Sequence, residues 1–233
     1  MTQMWNEIYE QPIALERCHE KNRQVLSEIV GAIRAKKIDQ VVIAARGTSD
    51  HAGVYGKYVL EMLTGIPVSL AASSVFTVYK RNLKLQNALV IGISQSGEAA
   101  DVLEVLRGAN ESGALTVGIT NFPDSPVAAE STFHLNCEAG VELSVAATKT
   151  FTTQLFLLAR LAALWAEDKD LEGELETIPE RISHTFETAR DIEDSVARYR
   201  FMHECFVLAR GVNYAVSLEA ALKIQETTYV RAK

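Results

Sequence analysis

Three unbroken apolar runs of strand length constrain this chain more than any other feature: Val41-Val42-Ile43-Ala44-Ala45, Ala88-Leu89-Val90-Ile91-Gly92-Ile93 and Leu115-Thr116-Val117-Gly118-Ile119-Thr120. A strand that buries one face alternates apolar and polar residues, whereas an unbroken run needs cover on both faces. A weaker run, Val68-Ser69-Leu70, follows Gly65-Ile66-Pro67. Helix-length stretches over 51–63, 98–110 and 145–165 separate or follow these runs. Strand, helix, strand at this spacing predicts βαβ units, and so a three-layer α/β/α fold around a parallel sheet, flavodoxin-like or Rossmann-like in class.

The chain has 233 residues, about one and a half domains at roughly 150 residues each. The half has a place in the sequence. Ala45-Arg46-Gly47 recurs as Ala209-Arg210-Gly211, each time between an apolar run and a helical stretch. That recurrence suggests an internal duplication. The expected organisation is an N-terminal helical segment (1–37), a complete α/β domain (38–169), a helical linker (170–203) and the incomplete start of a second copy (204–233). In the linker, apolar residues at helical spacing (Ile182, Phe186, Ala189, Ile192, Val196) predict a helix pair, and residues 205–209 a strand before a helix from about Tyr214.

Composition narrows the function. A net charge of −7 and the absence of any basic run argue against binding nucleic acid or an anionic membrane, which needs clustered Lys and Arg. Arg34-Ala35-Lys36-Lys37 reads as a solvated helix end, where cations favour the dipole. Cys18, Cys137 and Cys205 are odd in number and far apart, so they read as free, buried or half-buried thiols. Charges near the start (Glu7, Glu10, Glu16, Arg17) exclude a signal peptide there, and the most apolar stretch, 155–166, is interrupted by Arg160 and too short to span a bilayer. A cytoplasmic protein is expected.

Ligands of open parallel sheets bind beyond the carboxyl ends of the strands. Two loops there are rich in hydroxyls: Arg46-Gly47-Thr48-Ser49-Asp50 and Ser94-Gln95-Ser96-Gly97-Glu98. The second reads either as a phosphate cradle without lysine, at a helix N-terminus, or as a serine N-cap with a glycine turn. Glu98, read as a first-turn carboxylate, would repel a phosphate unless it points away. The spacing is neither a Walker loop nor a dinucleotide-binding GxGxxG, which disfavours ATP and NAD. On the last helical stretch Lys223 and Glu226 share a face, but Glu219 and Lys223 are also spaced for an exposed ion pair. His51 reads as a cap or surface residue, and no histidine pairing suggests a metal.

Four ordered motifs carry a resemblance. Arg46-Gly47-Thr48-Ser49, Ser94-Gln95-Ser96-Gly97-Glu98, Ala139-Gly140-Val141-Glu142-Leu143-Ser144-Val145-Ala146-Ala147-Thr148-Lys149 and Leu218-Glu219-Ala220-Ala221-Leu222-Lys223-Ile224-Gln225-Glu226 together resemble the SIS (sugar isomerase) family. Within it they are similar to the isomerase half of glutamine:fructose-6-phosphate aminotransferases and to SIS-type glucosamine-6-phosphate deaminases; Glu7-Ile8-Tyr9-Glu10-Gln11-Pro12 resembles the start of that isomerase half.

The resemblance implies sugar-phosphate binding at Thr48, Ser49, Ser94, Gln95 and Ser96, with Ser94 and Ser96 nearest the phosphate and Val145 lining the sugar site through its backbone. It implies Glu226 as the base moving a proton between C1 and C2, Lys223 as an accompanying active-site lysine, no cofactor, and a homodimer. The role of Lys149, readable as an exposed helix residue, stays open.

Some positions depart from the pattern. Arg46 stands where the aminotransferase has a cysteine and resembles the deaminase instead, and Ala99 stands where the aminotransferase has a phosphate-binding threonine. The chain stops before the family's ring-opening histidine, so little catalysis is expected of it alone. Thr2, with no glutaminase domain ahead of it, points away from glutamine as nitrogen source. The implied activity is conversion of glucosamine 6-phosphate to fructose 6-phosphate with release of ammonia. Alternatives are an aminotransferase-type isomerase fragment, a deglycase acting on a fructosamine phosphate, and a sugar-phosphate sensor without catalysis.

Overall fold

The computed structural model describes residues 2–188 and 192–233. Two N-terminal helices, α1 (Gln3–Tyr9) and α2 (Gln11–Lys36), precede an alternating unit: β1 (Gln40–Ala44), α3 (Thr48–Thr64), β2 (Val68–Leu70), α4 (Ser74–Thr77), β3 (Ala88–Ile93), α5 (Ala100–Glu111), β4 (Leu115–Thr120), α6 (Pro126–Glu130), β5 (Phe133–Asn136) and α7 (Lys149–Ala166). Then come α8 (Lys169–Glu176), α9 (Ile178–Thr188), α10 (Ile192–Val196), β6 (Glu204–Cys205), α11 (Asn213–Thr228) and β7 (Arg231–Ala232). The expected linker helix pair is thus a series of shorter helices, and Ala189 of its apolar spacing lies outside the described residues.

The first five strands form one parallel sheet in the order β2-β1-β3-β4-β5. Successive residues of a strand point to opposite faces, and here each face has its own cover. Val41, Ile43, Leu89, Ile91 and Ile93 pack with α2, α3 and α7, while Val42, Ala44, Ala88 and Val90 pack with Phe76, Val102, Val105 and Leu106 of α4 and α5. This two-sided burial is why β1, β3 and β4 read as unbroken apolar runs. α7 is buried around most of its circumference, as expected where a helix lies inside the helical layer.

β5 is missing from the sequence reading because it is a short edge strand carrying His134 and Asn136. Its outer edge is closed by a side chain from α2. Asn22 accepts from the Asn136 amide through Oδ1 at 2.9 Å and donates to its carbonyl through Nδ2 at 2.8 Å, so it substitutes for a further strand. The strand expected over 205–209 is shorter than its apolar pattern. Only Glu204 and Cys205 enter a ladder, paired parallel with Arg231 and Ala232, and Phe206 and Leu208 are exposed. The cysteines are all free; Cys18 and Cys137 are buried, and burial pushes the Cys137 thiol up to about 12.

α1 is tied to the sheet by one buried carboxylate. Glu7 accepts from the backbone amides of Leu143 at 2.6 Å and Ser144 at 3.2 Å, which fixes the loop between β5 and α7. Burial would raise this carboxyl, but its bonds to Ser144, Leu143 and Gln3 outweigh that and hold it below the ordinary value. Replacing Glu7 by Ala leaves two loop amides without partners. The expected cost is about 1–3 kcal/mol, read as a lower urea midpoint with an unchanged slope, and an unchanged midpoint contradicts the assignment.

Candidate functional site

The strand order reverses between β1 and β3. From β1 the chain crosses outward to β2, and from β3 it runs the other way, so the loops after β1 and β3 open a crevice at the carboxyl edge. The register pairs Ala44 with Gly92, which sets Arg46 to Ser49 beside Ser94 to Gly97.

The serine loop is wound tightly on itself. Gly97 has φ +68 and donates its amide to Ser94 O and Ser94 Oγ, both at 3.1 Å; a Cβ there would fall 2.0 Å from Ser125 Oγ. The Glu98 amide donates to Ser96 Oγ at 3.3 Å. Both serine oxygens thus accept from the loop backbone, which leaves their hydroxyl hydrogens to point at a ligand. The N-cap reading of this loop is corrected: α5 starts at Ala100 behind Ala99, which makes no side-chain cap. Glu98 therefore precedes the helix, and Asp101 is its first-turn acid.

Thr48 and Ser49 lie not in a loop but in the first turn of α3, after Gly47 at φ +56. Ser49 Oγ accepts from Gln154 Nε2 of α7 at 3.1 Å.

α11 packs on α3 and closes the crevice from above. Its Glu219 is 5% exposed and is the centre of a network. Thr48 Oγ1 donates to Oε1 at 2.9 Å, His51 Nδ1 donates to Oε2 at 2.7 Å, and Lys223 Nζ lies 3.2 Å from Oε1. Lys223 also donates to Thr48 Oγ1 at 3.2 Å and to Glu226 Oε2 at 2.6 Å. Burial would raise the Glu219 carboxyl; the His51 bond, the Lys223 charge and the Thr48 bond outweigh it and hold it below its ordinary value. The exposed ion pair expected of Glu219 and Lys223 is thus a buried one, and His51 is not a surface residue but its third partner. The Thr48 hydroxyl is committed to Glu219, so its hydrogen positions this network rather than facing the crevice.

The loop after β5 forms the remaining wall. Val145 lines the cleft from this loop and is 97% exposed. Glu142 accepts from Thr148 N and Oγ1 at 2.8 Å each, from Thr150 Oγ1, and from Gln95 Nε2 at 3.4 Å, which ties the two loops together. Lys149, readable as an exposed residue, is 2% exposed and paired with Glu10.

One cleft of about 250 Å³ results, and Thr48, Ser49, Ser94, Gln95, Ser96, Val145, Lys223 and Glu226 all line it. Arg46, Ile93, Ala99, Ala147, Thr150 and Gln154 complete the lining. Sequence reasoning did not single out Glu219, His51, Glu142 and Glu7 as site-building residues. The signal for the first was its place on the Lys223 face; His51 and Glu7 pair with segments far away in sequence, and Glu142 pairs with Thr148 and Thr150 just after it and with Gln95 of the serine loop. Among the described residues no group of three His, Cys, Asp or Glu side chains is placed to hold a metal, and no helix is long and apolar enough to cross a membrane.

Comparison with known proteins follows the same lines. Residues 34–164 match the SIS domain model. The chain is 40% identical over 232 residues to glutamine–fructose-6-phosphate aminotransferase (isomerizing) of Aquifex aeolicus, covering 99% of this chain and 38% of that protein. It spans about two-fifths of the length of the curated relatives it matches. Among solved structures, one assigned as a phosphosugar isomerase, from Silicibacter pomeroyi, superposes with a TM-score of 0.93 at 37% identity, over 100% of this chain and 70% of the other. The C-terminal domain of glucosamine-fructose-6-phosphate aminotransferase from Francisella tularensis gives 0.81 at 28%, over 100% and 69%.

Glu219 makes a pH prediction. Its carboxyl is held below its ordinary value of 4.5, so its contribution to stability is complete above that value and is lost as pH falls through the folded value. Wild type is expected to exceed Glu219→Gln in unfolding free energy at pH 7, with the gap closing as pH falls below 4.5 and through the lower folded value. A gap independent of pH contradicts the charged network.

Proposed function

This chain belongs to the SIS domain family, and from that premise we propose that its cleft binds an amino-sugar phosphate and converts glucosamine 6-phosphate to fructose 6-phosphate with release of ammonia. The observation that carries the reading is the sharing of one cleft by two kinds of group: hydroxyl donors at the sheet edge and a carboxylate–ammonium pair on α11. An aldose–ketose shift needs both, a grip on the distant phosphate and a base at the reacting carbon. Ser94, Gln95 and Ser96 take the phosphate, with Ser49 beside them. Glu226 removes the proton from C2 of the open-chain amino sugar and returns it to C1. The resulting imine at C2 is hydrolysed by water to the ketone, and ammonia leaves. Lys223 lies against Glu226 and offers its charge to the sugar oxygen that becomes negative during the transfer.

A second reading is favoured by the 40% identity to the aminotransferase: an isomerase portion of a protein of that kind, with the same base acting on the same carbons. Ammonia release separates the two, since the deaminase reading requires it from glucosamine 6-phosphate alone. Either reading takes a small sugar phosphate, needs no cofactor, and places the protein in the cytoplasm as a homodimer.

Glu226→Gln is expected to lower turnover, and the exchange of the C2 proton with deuterated water, by about 10²–10⁴-fold, while glucosamine 6-phosphate binding stays within a few-fold of wild type. Tight binding with neither turnover nor proton exchange, in a protein that also carries the ring-opening histidine, favours the sensing module instead. Failure to bind any hexose phosphate contradicts the proposal altogether.

A further inference from the structure

We propose that Arg46 is the cation that receives the phosphate dianion in this cleft, and that Asp101 holds it until the ligand arrives; this deepens the sugar-phosphate reading and rests on it. Several observations converge on Arg46. The register of β1 against β3 sets it beside Ser94, and its side chain lines the cleft with Ser94, Gln95 and Ser96. Its side chain is 73% exposed, and its ion pair is a single contact of 3.4 Å from Nη1 to Asp101 Oδ2. That is well beyond the roughly 2.7–2.9 Å of a strong charge-assisted hydrogen bond, so little holds the guanidinium where it is.

The rest of the lining gives the charge balance. Arg46 and Lys223 are the cations among the described lining residues, and Lys223 is already engaged by Glu219, Glu226 and Thr48. A phosphate on the serine loop would meet neutral hydroxyls and amides, with the Glu142 carboxylate behind Gln95 and Asp101 at the start of α5. Ala99, which also lines the cleft, has a methyl group and donates nothing. The planar guanidinium of Arg46 supplies both the missing charge and paired N–H donors that match phosphate oxygens. It moves from one carboxylate oxygen to the phosphate, and no bond is made or broken. Asp101 is then a competitor for Arg46, which sets a threshold: a phosphorylated sugar displaces it and an unphosphorylated sugar does not.

Calorimetric titration of the full chain tests this with glucosamine 6-phosphate, inorganic phosphate and unphosphorylated glucosamine, each variant first checked by its melting temperature. Arg46→Ala is expected to weaken both phosphate-bearing ligands by about ten- to a hundred-fold and to flatten the salt dependence of binding. Arg46→Lys should recover part of the loss, and Asp101→Asn should tighten binding several-fold. Wild-type-like binding by Arg46→Ala, or no tightening by Asp101→Asn, overturns the inference. Loss of binding in Ser94→Ala/Ser96→Ala with retention in Arg46→Ala overturns it while leaving the sugar-phosphate reading intact. No binding of any phosphate ligand by wild type removes both.

Discussion

A carboxylate that is 5% exposed cannot stand alone, and Glu219 is the point from which the geometry of this cleft follows. Stranding a charge in a protein interior costs several kcal/mol unless it is paired and hydrogen-bonded. Glu219 finds those partners on two helices, Thr48 and His51 on α3 and Lys223 on its own α11. Meeting them brings a helix from near the end of the sequence against the first turn of a helix that starts at the sheet edge. Once α11 is seated there, the i, i+3 spacing turns Glu226 toward the serine loop with Lys223 beside it.

The other walls are held by the same device. Glu7 accepts two amides of the loop after β5, and Glu142 gathers Thr148, Thr150 and Gln95. Both carboxylates accept from donors of the loop after β5, and Glu142 also holds the first turn of α7 through Thr150. The backbone around Val145 therefore keeps its place although its side chain is in solvent. The lining of hydroxyls and amides is held in place by anions set one layer behind it, which leaves the cleft itself short of positive charge apart from Arg46 and Lys223.

How far the sequence disclosed this depends on the kind of information involved. Strands β1, β3 and β4 were legible because burial on two faces writes an unbroken apolar run into local sequence. β5 was not, because an edge strand with His134 and Asn136 carries only a faint alternation and its edge is closed by Asn22, 114 residues away. The hydroxyl loops and the Lys223–Glu226 face were legible as local spacing. Partners that meet only through the fold left no local mark: His51 to Glu219 across 168 residues, or Lys149 to Glu10 across 139. Glu219 was visible but misread, since an i, i+4 pair looks alike whether exposed or buried.

The central claim is that the serine loop and the Lys223–Glu226 pair are two ends of one substrate site. A crystal structure with glucosamine 6-phosphate bound tests it most directly. The account predicts the phosphate on the Ser94 to Ser96 loop and the C1–C2 bond within hydrogen-bonding reach of the Glu226 carboxylate. A phosphate seated against Lys223 with the sugar directed away from Glu226, or a ligand bound outside the cleft, would contradict it.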